Sequence, residues 1–221
     1  MVMVYFTVLY KVLNQEKIGV LVGGDFLLNQ CKEGQKEGYE CEIKFNRLLH
    51  YFIGKDAYLI TNVIFKEKKN TLCEIDSILV SRKGLFCIEV KSHRGRGFGS
   101  EKALHWKFRK NPDSKAHTHL LNPVMQNGKH CEILEKTLNF QYISYNVVVF
   151  PNACNLHHIK SDKVFTTDSF LEYYNSLKEN QLTKKDILHI VDKLSDKIAI
   201  FHDFPTNKKL NEEQMSNLQL P

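Results

Sequence analysis

Apolar and polar positions alternate with period two in some stretches of the chain and recur at helical spacing in others. The densest apolar stretch, residues 71–91, reads as two β-branched runs around Ser81-Arg82-Lys83-Gly84. That pattern predicts an antiparallel hairpin whose glycine takes the left-handed position. Alternation puts Glu74, Asp76, Ile78 and Val80 on one side of the first strand. On the second strand Leu85, Cys87, Glu89 and Lys91 share a side. With the turn at Arg82-Lys83, Asp76 and Glu89 fall within about one residue of facing each other across the ladder.

Ahead of the hairpin, residues 1–35 show no firm periodicity and form an N-terminal extension that ends in a Gly- and charge-rich stretch. Ile43, Phe45, Leu48, Leu49 and Phe52 then recur at mostly helical spacing, predicting a helix over 38–52 that closes at Gly54. A strand follows over 58–65, and the polar 66–70 is a turn. After the hairpin, 92–99 reads as a flexible basic Arg/Gly loop, 102–109 as a short strand around Trp106, and 110–119 as a polar insertion. Asn122 caps a helix with Pro123 at its first position and an apolar side of Met125, Ile133, Leu134 and Leu138. The near-continuous apolar run 142–150 is a strand covered on both sides, and 163–167 is a shorter one. Asp168 caps the next helix, and Thr183 with Asp186 has capping-box spacing before a helix over 184–201. The polar residues 205–221 are a loose C-terminal tail, which leaves 36–204 as one domain.

The alternation of helices and strands predicts an α/β fold, and 221 residues suit one such domain. With 43% hydrophobic and 25% charged residues the chain is an ordinary globular protein, which excludes a largely disordered one. A formal net charge of +6 permits anionic partners such as nucleic acid without requiring them. Six cysteines form no CxxC pair, so they read as small buried hydrophobes of a reducing cytoplasm. The apolar opening ten residues are too short to span a bilayer. Cys154 with His157 and His158 is a zinc half-site with no second pair to complete it, and His117 and His119 read as solvated loop histidines.

The candidate chemistry lies on the hairpin. A strand reading Leu-Phe-Cys-Ile-Glu-Val-Lys is apolar enough to be central, and a buried charge must be paired or bind a metal. Asp76 and Glu89 are therefore candidate ligands for a hard divalent cation, Mg²⁺ or Mn²⁺. Lys91, one pleat beyond Glu89, would steady an attacking hydroxide or the charge growing on a phosphate. Glu42 lies near the start of its helix, either as a dipole-favoured surface acid or as a third carboxylate aimed at the hairpin. Gln126 and His130, one turn apart, share a face that looks either onto the hairpin or into solvent. Arg94 and Arg96 in the Arg/Gly loop, and Lys83 in the hairpin turn, are candidate nucleic-acid contacts, although such loops also occur as plain connections.

The ordered set Gly38-Tyr-Glu-Cys-Glu42, Glu74-Ile-Asp76, Gly84-Leu-Phe-Cys-Ile-Glu-Val-Lys91, Trp106 and Asn122-Pro-Val-Met-Gln-Asn127 with His130 resembles the restriction-endonuclease-like nucleases of the PD-(D/E)xK class. More narrowly, it resembles the nuclease-related domain (NERD) family over about residues 38–150. The resemblance implies a three-layer α/β/α fold with a mixed central sheet and metal-dependent cleavage of phosphodiester bonds, in DNA. It implies metal ligation by Asp76 and Glu89, Lys91 as the cationic catalytic partner, Glu42 as an auxiliary acid and Gln126 as a polar residue lining the site. One residue departs from the pattern: where the family's helix start carries a second glycine, this chain has Cys41, which bears on how closely the helix approaches the sheet. The alternative expectation is a catalytically weak or inactive module of this fold that binds nucleic acid within a DNA-processing or defence assembly.

Overall fold

The computed structural model describes residues 33–53, 57–66, 72–110 and 116–195. In chain order these form α1 (Glu33–Phe52), β1 (Tyr58–Lys66), β2 (Leu72–Ser81), β3 (Gly84–Val90), β4 (Gly95–Ser100), β5 (His105–Arg109) and β6 (Thr118–Leu121). There follow α2 (Pro123–Thr137), β7 (Ser144–Phe150), β8 (Cys154–Lys160), β9 (Val164–Thr166), α3 (Thr167–Ser176) and α4 (Lys184–Ser195).

Five strands make the central sheet, in the order β1-β2-β3-β7-β9. The first three pair antiparallel, while β7 runs parallel to both β3 and β9, so the sheet is mixed. The predicted hairpin is β2-β3: Ser81 pairs with Gly84 across a two-residue turn, and Gly84 takes φ +135, open to glycine and strained for other residues. Each face of this sheet carries a helical layer. On one, Phe45 and Leu49 of α1 and Phe170, Leu171 and Tyr174 of α3 pack on Leu79, Phe86, Ile88 and Val147. On the other, Cys131 and Leu134 of α2 and Ile187, Ile190 and Leu194 of α4 cover Val63, Ile78, Val80 and Cys87. The α/β/α layering is as expected, and it explains why every residue of β3 is buried.

A second sheet, β6-β5-β4-β8, departs from the sequence reading. Residues 95–100 are a strand, not a flexible loop, and part of the expected polar insertion, including His119, is the strand β6. Glycine is depleted in strands and hides the signal. Here Gly97 and Gly99 leave room for aromatic rings: an added Cβ would lie 2.8 Å from Phe108 and 2.5 Å from Trp106 respectively. Those rings join Val148 and Phe150 of the central sheet, Val124 and Cys154 in a third core cluster. Cys154 is thus a core residue at the start of β8, and the zinc half-site finds no support among the described residues.

Helix boundaries also shift. The first helix begins at Glu33 rather than 38, and Leu48 (36% exposed) and Phe52 (45%) fall outside its buried stripe. Met125 is 46% exposed, so the apolar side of α2 is formed by Val124, Cys131 and Leu134. Asn122 is the cap expected, accepting the Val124 and Met125 amides. The third helix is capped by Thr166 in a box with Ser169, leaving Asp168 in its first turn. Thr183 and Asp186 form their reciprocal cap. The N-terminal extension up to residue 32, the C-terminal tail and the end of the last predicted helix lie outside the described residues. Among the described residues no helix is long and apolar enough to cross a membrane.

Candidate active site

The hairpin ladder stops just where the acids begin. Ser77 pairs with Ile88, and the next outward-turned amide of β3, Val90 N–H, is taken by the Asp76 Oδ2 at 2.8 Å instead of by a backbone carbonyl. The two strands part at this point, so Asp76 is held at the mouth of the gap opposite Glu89. Asp76 therefore stands in place of a ladder hydrogen bond, and its orientation is fixed by the backbone it replaces.

Glu89 is 2% exposed, and three side chains attend it. Lys91 Nζ donates to its Oε1 in a short charged contact. Gln126 Nε2 donates to the same oxygen at 2.9 Å, while Gln126 Oε1 accepts from Lys91 Nζ at 3.3 Å. Gln126 thus closes a three-membered ring with the acid and the base. On the far side His130 Nδ1 stands 3.3 Å from Oε2, an ion pair without hydrogen-bond alignment. Gln126 and His130 lie one helical turn apart on α2, and of their two open orientations the structure takes the one facing the hairpin.

Asn127, which the sequence reading passed over, sets that orientation. Wholly buried, it donates to the Cys87 carbonyl at 2.9 Å and the Val147 carbonyl at 3.0 Å, tying α2 to β3 and β7. Asn122 adds a second tie, donating to the carbonyls of Ser100, Glu101 and Ala103. A signal for both was present in the polar residues at buried helix positions, but asparagine is more often a turn or cap residue.

Glu42 likewise faces inward. Asn46, one turn later on α1, is buried and accepts the Ser77 hydroxyl at 2.6 Å, and Glu42 accepts from Asn62 Nδ2 at 3.4 Å. Asn62 reaches it from a left-handed conformation in mid-strand, φ 51. The helix does approach the sheet closely despite Cys41: its Sγ lies 3.7 Å from the Lys91 carbonyl oxygen.

The electrostatics follow from crowding. Burial, then Glu74, pushes Glu42 up to about 7, with Glu89 adding to it. Burial, then the charges of Glu89 and Glu42, pushes Asp76 well above the usual carboxylate range. Glu89 goes the other way: burial would raise it, but His130 and Lys91 outweigh burial and hold it below its ordinary value. Burial works to lower His130, yet Cys73 and Glu89 raise it to about 10. One acid is thus held ionised among neighbours that resist ionisation.

The other sequence candidates lie elsewhere. Lys83 sits at the opposite end of the hairpin, donating to the carbonyls of Tyr174 at 3.0 Å and Asn175 at 3.3 Å and lying over the Tyr174 ring. It closes the end of α3 and is not drawn to the acids. Arg94 is exposed in the link that follows Lys91, and Arg96 is exposed on β4. Neither is held by the cluster.

A hard cation fits this donor set. Oε2 of Glu89 is a buried oxygen with no hydrogen bond, and Asp76 and Glu42 repel each other's ionised forms. Among the described residues no three His, Cys, Asp or Glu side chains converge as ligands. An ion here would therefore be held by Asp76 and Glu89 and keep several waters, as Mg²⁺ commonly does.

The model of the nuclease-related domain family matches residues 37–151, from inside α1 to just past β7. An uncharacterized protein of Bacillus anthracis is 29% identical over 154 residues, 65% of this chain and 68% of that protein. No solved structure matches.

Proposed function

The chain belongs to the nuclease-related domain family, and on that premise we propose that it is a metal-dependent nuclease that hydrolyses phosphodiester bonds in DNA. The observation that carries this reading is the gathering of Lys91, Gln126 and His130 on Glu89, at the point where Asp76 replaces the ladder. Mg²⁺ or Mn²⁺, when bound, would act as a Lewis acid on the phosphate and lower the pKa of water. The chain's own residues do the rest. Asp76, tied to the Val90 amide, and Glu89 present oxygens from two adjacent strands. Lys91, on the same side as Glu89, is placed to orient a water or neutralise charge building on the phosphate. Gln126 holds the ammonium and the carboxylate in one geometry, and His130 keeps Glu89 ionised. Glu42, at a pKa of about 7, is an auxiliary acid able to take or give a proton near neutrality. Arg94, just beyond Lys91, is available to a phosphate of the substrate backbone. The free thiols of Cys41, Cys73, Cys87, Cys131 and Cys154 support a place in the reducing cytoplasm.

The test is incubation with supercoiled, linear and single-stranded DNA plus Mg²⁺ or Mn²⁺, beside the Glu89→Ala and Lys91→Ala variants. Cleavage by the wild type and its loss in both variants is expected; equal activity in the variants would remove the assignment. A second reading, a binding module of this fold that does not cut, is favoured by the exposed cations Arg94 and Arg96 that follow the cluster. Its signature would be salt-dependent DNA binding with no turnover under any divalent ion.

A further inference from the structure

The second sheet has one buried face and one exposed face, and the exposed one has a composition of its own. Trp106 and Phe108 of β5 fill the buried side, against the glycines of β4. The alternate residues Arg96 and Phe98 of β4 and His105, Lys107 and Arg109 of β5 therefore turn outward. Register then sets His119, Lys107, Phe98 and His158 side by side across all four strands. Arg96 pairs with Arg109 in the adjoining row, and Lys160 lies opposite Ser100.

Two features of this face point to a ligand. The first is a rib of flat groups. The rings of Phe98 and His158 stack 5.0 Å apart with 8° between their planes, and the Arg109 guanidinium lies over Phe98, 5.9 Å from its centroid. Guanidinium, phenyl and imidazole thus form a continuous stack across three strands. The second is charge of one sign. The four strands carry Arg96, Lys107, Arg109 and Lys160, with no Asp or Glu. The acid at the edge of the sheet, Glu101, is already bridged to Lys163 at 2.7 Å. Arg96 lies directly opposite Arg109, so this row of the ladder adds two cationic side chains to the face.

We propose that this exposed face binds single-stranded nucleic acid, the bases extending the Arg109–Phe98–His158 stack and the phosphates lying along Arg96, Lys107 and Lys160. A duplex hides the faces of its bases, whereas a single strand offers them to flat side chains. The face is separate from the carboxylate cluster and binds whether or not that cluster cuts. It is also near: only Ser92, His93 and Arg94 separate Lys91 from β4, so the Cα atoms of Lys91 and Arg96 are at most about 18 Å apart. A strand held here has its continuation within reach of the acids.

The experiment is fluorescence anisotropy of the full chain in EDTA, with a labelled oligothymidine of about 16 nucleotides and a duplex of equal length. His158→Ala and the double variant Lys107→Glu/Lys160→Glu change exposed side chains, and an unchanged melting temperature verifies their fold. His158→Ala is expected to weaken single-strand binding by about fivefold or more. The charge reversal should weaken it further and reduce the slope of log affinity against log salt by about 1.4. The duplex should bind more weakly and ignore His158→Ala. Wild-type affinity in both variants, or a duplex bound more tightly than the strand, overturns the proposal. Cleavage with Mg²⁺ is measured separately, so intact cutting with indifferent surface variants, or lost cutting with responsive ones, tells this inference's failure from that of the nuclease reading.

Discussion

Gln126 donates to Glu89 while accepting from Lys91, so a single amide from α2 holds together the acid of β3 and the lysine just past its end. An amide does this and a carboxylate does not, because only the amide offers a donor and an acceptor at once. Gln126→Leu should leave the fold intact, since the side chain is half-exposed, and lower the cleavage rate by about 10- to 100-fold, as loss of an orienting partner does. Gln126→Glu should be worse, placing a further anion against Glu89. Plasmid nicking rates and melting curves for the two variants check this; a Gln126→Leu protein as fast as wild type removes Gln126 from the machinery.

A divalent ion that binds only the folded chain must stabilise it. At a concentration about 100 times its dissociation constant Mg²⁺ should add about 2.7 kcal/mol, seen as a rise in Tm. Asp76→Asn keeps an acceptor for the Val90 amide, so the variant should fold, and its Tm in EDTA should match or exceed that of the wild type because a buried charge is gone. Mg²⁺ should then raise its Tm little. An equal Mg²⁺-dependent rise in Asp76→Asn and wild type would show that the ion binds elsewhere.

Much of this site could be read along the chain because it lies on β-structure of regular period. Asp76, Glu89 and Lys91 share a face by parity alone, and the two-residue turn fixes their register without any tertiary contact. Glu42, Gln126 and His130 sat on amphipathic helices with two possible orientations, and spacing could not choose. What chose was a set of buried amides, Asn46, Asn122 and Asn127, whose bonds run 19 to 40 residues away in sequence. The second sheet was harder still. Its glycines are small so that Trp106 and Phe108 can lie against them, a tertiary reason that local propensity reads as a loop. The turn position of Lys83 is legible locally, but its partner at the end of α3 lies 91 residues away and is not.

Stability should depend on pH through Glu42. Its folded pKa of about 7 lies above the ordinary 4.5, so between these values the folded state binds more protons than the unfolded. Stability from this group therefore falls as pH rises from 4.5 to about 7, and the penalty is complete above that. Glu42→Gln removes the charge and keeps an acceptor for Asn62. The variant's Tm in EDTA should match the wild type's near pH 4.5, exceed it increasingly toward pH 7 and keep a constant lead above that. A gap between the two curves that does not widen with pH would mean that Glu42 is not crowded by its neighbours.

His130 gives the remaining prediction, and its sign is opposite. Its imidazolium, raised to about 10 by Cys73 and Glu89 against burial, is charged throughout the neutral range. Burial would push Glu89 up, and His130 is foremost among the groups that hold it down. If cleavage needs Glu89 ionised, activity is lost as pH falls through the Glu89 pKa, and the acid limb of the pH–rate profile reports that pKa. Removing His130 takes away the first of the groups that oppose burial, so the Glu89 carboxyl rises. His130→Ala should therefore move the acid limb of kcat/KM to higher pH, while the rate on the alkaline plateau, where Glu89 is ionised in both proteins, changes much less. His130→Lys, keeping a cation on α2, should restore part of the shift. A variant with lower rates at every pH and an unmoved limb would show that His130 only packs against the site and does not set the charge of Glu89.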